Sequence, residues 1–197
     1  MNDYALRAKE LISKYKHAWI LSYFFIYMAW FMWLEKNVVP RFWMRSPLDD
    51  LIPFVPAFII PYTLWFAYVA SAIVLFLFIS KQDYFRLCAF LFIGMSIILT
   101  IYMLFPNGHR LRPQVEADGL FLTMIARLHQ ADTSTNVAPS IHVYNSIGVH
   151  IALAKAEKTR KLVWLRVGSF ILMLLIIMST VFLKQHSIDD AFFALPL

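Results

Sequence analysis

The stretch VGSFILMLLIIMSTVFLKQHSIDD, residues 167–190, joins an uncharged apolar run to a polar end that carries His186 and Asp190. The run 167–183 is as long as a helix that crosses a bilayer, which needs about 17–25 residues. Side chains four positions apart can meet on one helix face, so Asp190 can hold one ring nitrogen of His186 and leave the other as a base or nucleophile. The alternative for the polar end is a solvated helix terminus that snorkels to the interface.

Four more uncharged runs of similar length occur along the 197 residues, at 18–34, 51–80, 87–108 and 137–154. The chain is 60% hydrophobic and 17% aromatic, which is typical of a polytopic membrane protein and not of a soluble domain. Open strands cannot satisfy their backbone in lipid, and the runs lack the alternation of a barrel. The sequence therefore predicts an all-α fold, a polytopic membrane helical bundle in one domain, 1–197, with five full spans.

Prolines, glycines and polar turn residues divide the chain further. Prolines crowd the start of the second run, so we expect an irregular entry and a helix over 61–80. A tight polar turn is expected at 81–86, and Pro106-Asn107-Gly108 marks the end of the third span. The loop 107–138 is the one long polar connection, with a short surface helix expected at 120–128. A sixth span would begin near Asp190 and is incomplete, which suggests a truncated chain.

The N-terminal segment 1–16 predicts a short interfacial helix on the cytoplasmic face, with a frayed basic tail as the alternative. If it lies inside, the inner segments 1–16, 81–86 and 155–166 carry 11 of the 18 Lys and Arg residues. This positive-inside bias predicts a multi-pass protein of the cell membrane with a cytoplasmic N-terminus and an extracytoplasmic loop 107–138. The excess of Phe, Met and Trp is assigned to the lipid-facing surface. The net charge of +6 reflects basic span ends, so no nucleic acid partner is expected.

Three polar clusters fall on the predicted outer face: Arg110 and Arg112 in the loop, Ser140 and His142 at the start of the fourth span, and Lys184, His186 and Asp190 after the fifth. Cations, a helix N-terminus and two histidines suit a phosphate group. One histidine can attack phosphorus while the other protonates the leaving oxygen. The outer face has no cluster of carboxylates or cysteines with metal-ligand spacing, so neither a metal nor another cofactor is expected.

At these residues the sequence resembles the type 2 phosphatidic acid phosphatase (lipid phosphate phosphatase) superfamily. The family pattern is a basic segment ending in Arg-Pro, then Pro-Ser-Gly-His, then Ser-Arg followed by His and, four residues on, Asp. The matches are Arg112-Pro113, the segment 139–142 (PSIH), Ser179, and His186 with Asp190. Their order, spacing and placement relative to the spans agree with the family over about residues 105–190.

The resemblance implies a metal-independent hydrolysis of a lipid phosphomonoester or diphosphate through a phosphohistidine on His186. Asp190 would orient His186, and His142 would act as general acid and then as general base. The phosphate would be held by four side chains: Arg112, Ser140, Arg110 and Lys184. The expected partners are a lipid phosphate substrate and the bilayer, with the oligomeric state left open.

Three departures from the family pattern keep alternatives open. Phe105, Ile141 and Thr180 stand where the family has Lys, Gly and Arg. The second and third of these are similar to the inositol phosphorylceramide synthase branch, which implies a head-group phosphotransferase as the alternative enzyme. A non-catalytic lipid-binding or transport relative that retains the pocket is the third possibility.

The remaining polar residues are assigned structural roles. His150, about 12 Å along the fourth span from His142, is expected to be structural, and an interhelical hydrogen bond is the alternative role for His142 itself. His109 and His129 are expected to be loop residues. Asp189 is expected to be solvated or to cap a helix, and a lone cysteine, Cys88, excludes an intrachain disulfide.

Overall fold

The computed structural model describes residues 9, 10 and 12–197, and most of them are helical. Within this part of the chain there are seven α-helices: α1 (Tyr23–Asn37), α2 (Ile59–Ile79), α3 (Lys81–Leu104), α4 (Gly119–Ala131), α5 (Ile141–Lys155), α6 (Val163–Phe182) and α7 (Ile188–Phe193). Short 3-10 turns precede α1 at Lys16–Ser22 and α2 at Pro47–Asp50 and Pro56–Phe58. One two-residue parallel pair joins β1 (Phe42–Trp43) to β2 (Asn107–Gly108).

Four helical segments within the described residues are long and apolar enough to cross a membrane: Ile12–Asn37, Pro56–Ile79, Lys81–Leu104 and Val163–Phe182. This confirms a helical chain with several membrane-spanning candidates. The predicted interfacial segment 1–16 lies partly outside the described residues, and from Ile12 onward it is continuous with the first of these helices.

The predicted count of five spans is not confirmed. The run 137–154 corresponds to α5, which has only 15 residues because it begins at Ile141, after the extended N-cap residue Ser140. Its polar residues Asn145 and Ser146 are buried in the bundle, so they lower its hydropathy without facing lipid. The predicted start of a sixth span is the six-residue helix α7.

The predicted polar turn at 81–86 is wrong, because α3 already begins at Lys81. Ser80 is the N-cap: its hydroxyl oxygen accepts a hydrogen bond from the amide of Asp83 at 3.3 Å and donates to the carboxylate of Asp83 at 2.5 Å. Such a cap satisfies amides that otherwise lack partners at a helix start. The break between α2 and α3 is therefore a single residue. The other predicted boundaries agree more closely, with α2 beginning at Ile59 and α4 covering the helix expected at 120–128.

Helix α5 lies at the centre of the bundle, in contact with α2, α3 and α6. Its close approach to α3 depends on glycines: a Cβ at Gly94 would lie 2.0 Å from the Tyr144 hydroxyl, and one at Gly148 would lie 2.1 Å from the Phe90 ring. Tyr144 stacks on Phe90 with ring centroids 4.5 Å apart and donates to the Phe90 carbonyl at 3.0 Å. This contact fixes the depth at which α5 sits, and with it the position of His142.

The long loop 107–138 is tied to the bundle at both ends. The side-chain amide of Asn107 donates from Nδ2 to the Ala138 carbonyl at 2.8 Å. Its Oδ1 accepts from the backbone N–H groups of Val137 and Ala138 at 2.9 and 2.8 Å. At the end of α1, the carboxylate of Glu35 accepts hydrogen bonds from Thr133, Thr135 and Asn136. These contacts bring the residues before Ser140 against the end of α1 and against Asn107, which follows α3.

The packing of α3 on α5 predicts opposite effects for two glycine substitutions. Gly94→Ala should destabilise the protein by about 1–3 kcal/mol, because the new methyl group must displace a Tyr144 ring held by Phe90. Gly168→Ala on α6 is the matched control, since no atom lies within 4 Å of a Cβ there. It should be neutral or stabilising by up to about 1 kcal/mol through helix propensity. Thermal unfolding in detergent measures both, and equal melting temperatures would contradict the prediction.

Candidate active site

The turn after α6 places His186 next to the bundle. The amides of Gln185 and Lys184 donate to the carbonyls of Thr180 and Val181 at 2.9 and 3.1 Å, the two bonds of a Schellman motif. Lys184 takes the left-handed position of that motif, with φ at 56°. The His186 amide also donates to the Thr180 carbonyl, at 3.0 Å. The chain therefore reverses immediately after the apolar helix, and the His186 ring is only 7% exposed.

His186 and Asp190 meet as their spacing predicts. Nδ1 of His186 lies 3.3 Å from Oδ2 of Asp190, which is fully buried. The same oxygen accepts a hydrogen bond from the Ser187 amide at 2.9 Å, within the capping box that begins α7. A carboxylate at Nδ1 favours the tautomer with its proton on that nitrogen. This arrangement leaves the lone pair of Nε2 available for reaction.

The start of α5 lies directly against this pair. The Ser140 amide donates to the Asp190 carbonyl at 3.0 Å, which joins the N-cap of α5 to α7. The rings of His142 and His186 have centroids 5.7 Å apart and pack edge to face. On its other sides, His142 contacts Tyr62 and Trp65 of α2, with centroid distances of 4.5 and 4.4 Å.

Several polar atoms around the two histidines are buried and have no hydrogen-bond partner among the described residues: Ser140 Oγ, both ring nitrogens of His142, Arg112 Nε and Asp190 Oδ1. A buried polar atom without a partner costs about 1–3 kcal/mol, so an unpaired group inside a protein calls for an explanation. Donors from a guanidinium, a hydroxyl and an imidazole match the acceptor oxygens of a phosphate. The cluster suits an anionic ligand between His142 and His186.

Arg112 is held in place by the other end of the loop. Its guanidinium donates to the backbone carbonyls of Asp132 and Thr133 at 2.6 and 2.8 Å and to the Asp132 carboxylate at 3.0 Å. Nε makes none of these bonds and is the buried donor described above. Asp132 therefore fixes the guanidinium and leaves its Nε N–H for a ligand.

Arg110 and Lys184, the other two predicted phosphate-binding cations, lie together on a separate cleft of about 550 Å³. The Arg110 guanidinium stacks on the Trp43 ring at 4.0 Å. The Lys184 ammonium donates to the backbone carbonyls of Asp49, at 2.5 Å, and Ile52. The structure therefore brings Arg112, Ser140, His142, His186 and Asp190 together and places Arg110 and Lys184 next to them.

His109 is a third histidine near this site and not an exposed loop residue. It is 1% exposed, and Nδ1 accepts a hydrogen bond from the Leu111 amide at 3.1 Å, which leaves the proton on Nε2. Burial, together with the neighbouring His186 and Arg112, lowers the pKa of His109 to about 3, and burial is the largest of these causes. These three residues therefore share one electrostatic environment in which His109 stays neutral.

Sequence reasoning missed the aromatic walls and the anchor of Arg112. Trp65 is half-buried, so the assignment of Trp to the lipid-facing surface is wrong for this residue, and Tyr62, which is 3% exposed, was not identified. Their spacing of three on α2 was the available signal, since it places both on one face. Asp132 gave no local signal, because its partner lies 20 residues earlier in the chain.

Two residues that were assigned structural roles, His150 and Asp189, make structural contacts. His150 Nδ1 lies 3.2 Å from the Ser169 hydroxyl, an interhelical contact between α5 and α6. Asp189 lies in the first turn of α7, where its amide donates to Ser187 Oγ at 3.4 Å. His129 lies on α4 and contacts the Gln185 amide group at 2.9 Å, so it is not in an irregular loop.

The low pKa of His109 predicts a pH-dependent loss of stability. In the unfolded chain this histidine binds a proton near pH 6.5, whereas the folded state resists protonation down to about pH 3. Because the unfolded state binds more protons in that window, stability falls as pH falls below 6.5, by up to about 1.4 kcal/mol per pH unit. His109→Gln keeps an acceptor for Leu111 and should flatten the dependence of melting temperature on pH between 7 and 5. Parallel curves for the two proteins would contradict this.

No family model, no curated protein and no solved structure matches the chain. The chemistry of these buried groups is therefore the basis for proposing a function.

Proposed function

We propose that this protein is a membrane lipid phosphatase that hydrolyses a lipid phosphomonoester or diphosphate through a phosphohistidine on His186. The observation that carries the proposal is the His186–Asp190 pair, which faces His142 among buried, unpaired phosphate-binding groups at the end of apolar helices. The resemblance of these same residues to the type 2 phosphatidic acid phosphatases supports it independently.

In the first step, Nε2 of His186 attacks phosphorus and the bond between phosphorus and the lipid oxygen breaks. Asp190 holds the Nδ1 proton and stabilises the positive charge that develops on the ring. The negative charge of the bound phosphate favours the protonated form of His142, which then gives its proton to the departing lipid oxygen. Arg112 Nε, Ser140 Oγ and the first amides of α5 balance the charge on the phosphoryl oxygens.

In the second step, water replaces the lipid alcohol. His142, now neutral, takes a proton from the water as its oxygen attacks phosphorus, and the bond between phosphorus and Nε2 breaks. Inorganic phosphate leaves, and His186 returns to its starting state. Over the cycle His142 gives one proton to the lipid oxygen and regains one from water, and the overall reaction consumes one water.

The position of the site supports a lipid as the substrate. The apolar helix α2 begins at the site and the apolar helix α6 ends at it. A lipid in the adjoining leaflet can therefore present its phosphate without leaving the bilayer. The distribution of Lys and Arg favours a cytoplasmic N-terminus and an extracytoplasmic active site. In this topology α5 also crosses the membrane, which makes five crossings in all. It is a short crossing lined by other helices.

A head-group phosphotransferase is the second candidate, and the cleft at Trp43 and Arg110 favours it. A lipid phosphomonoester has nothing on the aqueous side of its phosphate, whereas a phosphodiester carries a head group there. The cleft, about 550 Å³, borders the turn that holds His186 through Lys184, and it has room for such a group. The hydroxyl of an acceptor would then take the place of water in the second step. A non-catalytic lipid-binding or transport relative is the third candidate.

Turnover of phosphatidic acid, a prenyl diphosphate and a phosphodiester phospholipid, measured in detergent with and without an added alcohol acceptor as released phosphate or as transferred head group, tests the three candidates. For a phosphatase, release needs no acceptor, and His186→Ala should lower kcat by at least about 10³-fold because the nucleophile is lost. His142→Ala should lower it about 10²–10⁴-fold because proton transfer is lost.

The control is His150→Gln, which changes a histidine on the same helix that contacts Ser169 and lies away from the reacting groups. It should leave phosphate release unchanged. Product formed only with an acceptor would favour the transferase. Full activity of His186→Ala would contradict the phosphohistidine mechanism, and no turnover by the folded wild type under either condition would favour the binding or transport role.

The proposed orientation predicts which side of the membrane can label a new cysteine. In a Cys88→Ser background, Gln130→Cys should react with an impermeant maleimide added outside intact cells, because it lies exposed at the end of α4. Glu157→Cys, exposed in the loop between α5 and α6, is the matched control and should react only after the membrane is opened. The reverse pattern would overturn the orientation.

A further inference from the structure

Asp49 is a buried carboxylate that lies far from His186 in the sequence. It belongs to the 3-10 turn Pro47–Asp50 before α2 and is only 3% exposed. Its carboxylate accepts three hydrogen bonds: from the Ser46 amide at 2.8 Å, the Ser187 hydroxyl at 2.6 Å and the Ile188 amide at 2.9 Å. Only the first is local, and the other two reach residues 138 and 139 positions later in the chain.

Local capping does not account for burying this charge. A 3-10 turn of four residues is completed by the single bond from Ser46, and an exposed Asp provides that bond equally well. Removing a carboxylate from water costs several kcal/mol unless hydrogen bonds replace the lost hydration. Here that replacement comes from the two residues that directly follow His186. The burial of Asp49 is therefore coupled to the position of the turn that carries the proposed nucleophile.

The contacts continue from Asp49 to the reacting ring. The Ser187 hydroxyl donates to Asp49, and the Ser187 amide donates at 2.9 Å to Oδ2 of Asp190, the oxygen that faces His186. The Asp49 backbone takes part as well, because its carbonyl accepts a hydrogen bond from the Lys184 ammonium at 2.5 Å. Asp49 thus holds the turn on both sides of His186, at Lys184 and at Ser187.

We propose that Asp49 is a positioning residue that holds the turn 184–188 so that Asp190 meets Nδ1 of His186. This inference rests on the proposed phosphohistidine function for its kinetic consequence. Asp49 makes no contact with the phosphate-binding groups Arg112 and Ser140 in the described chain. Its loss should therefore slow the attack of His186 and leave the binding of substrate unchanged.

The adjacent residue Asp50 offers a matched control. Its side chain is 61% exposed and pairs at the surface with Arg45 at 3.0 Å. Asp49→Asn and Asp50→Asn make the same chemical change one residue apart, so they have the same effect on net charge. In Asp49→Asn, an amide NH2 replaces one carboxylate oxygen and faces at least one of the three buried donors, whereas in Asp50→Asn it replaces an oxygen of an exposed pair with Arg45, where water can solvate both groups.

The experiment compares kcat, KM and the single-turnover rate of phosphoenzyme formation for the wild type and the two variants. Asp49→Asn should lower kcat and the phosphoenzyme rate about 10–100-fold, as expected when a supporting hydrogen bond to a reactive group is lost, with KM changed less than about threefold. Asp50→Asn should match the wild type. Equal kcat for the two variants, or a loss confined to KM, would overturn the proposal.

Ser187→Ala approaches the same contact from the other side and covers the case in which Asp49→Asn fails to fold. It should reproduce the fall in kcat, and the double variant should lose much less than the product of the two single effects, because both remove one interaction. Multiplied effects, or a fall in kcat that equals the fall in folded protein measured by thermal unfolding, would show that Asp49 does not act through Ser187.

A readout without turnover separates this proposal from the proposed function. Diethyl pyrocarbonate modifies accessible imidazoles, and mass spectrometry of the peptide that contains His186 gives the rate for that ring. Release of the turn should raise this rate several-fold in Asp49→Asn and leave it unchanged in Asp50→Asn. A wild type without turnover but with this difference would overturn the phosphatase and support the positioning role. Equal rates in both variants would overturn the positioning role.

Discussion

The carbonyl oxygen of Thr180 accepts hydrogen bonds from two backbone amides, those of Gln185 and His186. An apolar helix that ends at a membrane surface must satisfy its last carbonyls, and here the chain satisfies them by folding back on itself. Because of that reversal, His186 turns toward the bundle and away from solvent. The cost is the left-handed conformation of Lys184, a residue type for which it is unfavourable. Hydrogen bonds from the Lys184 ammonium to the segment before α2 compensate for this cost.

The buried polar groups of the bundle fall into two kinds. Between α2, α5 and α6, Tyr68 and His150 both contact the Ser169 hydroxyl, at 2.6 and 3.2 Å, and this cluster is paired as structural polar groups in membranes usually are. Around His142, by contrast, donors from two separate segments, Arg112 in the loop and Ser140 and His142 at the start of α5, are buried without partners in the described chain. Polar groups in a low-dielectric interior are costly when unpaired, so the second cluster has the character of a binding site and the first does not.

The end of the bundle that carries His142 and His186 also holds the loop segments in a fixed arrangement. Asn107 forms hydrogen bonds with the residues before Ser140. Glu35 accepts hydrogen bonds from the threonines before Asn136, and Asp132 accepts one from Arg112. Each contact joins residues far apart in sequence through a charged or amide group that is at least partly buried. A long polar loop ordered in this way can position a guanidinium as precisely as a helix positions a histidine, which is the pre-organisation that phosphoryl transfer requires.

The sequence by itself determined the helical membrane class, most of the helix boundaries and the pairing of His186 with Asp190. These features depend on local properties: apolar run length, turn residues and the four-residue spacing within one turn. The same local reasoning failed at Lys81, where a single N-cap serine replaced a turn, and at α5, where buried polar residues concealed the depth of the helix.

Only the tertiary structure decided which cations remain for a ligand and what surrounds the histidines. Arg112, Arg110 and Lys184 are equivalent in sequence as basic residues at span ends, but Asp132, Trp43 and two backbone carbonyls give each a different role. The spacing of Tyr62 and Trp65 places them on one face of α2, but only the packing of α5 against α2 shows that this face meets His142. The physical reason is that burial and long-range hydrogen bonds depend on segments that meet only in the folded chain, and no local pattern encodes them.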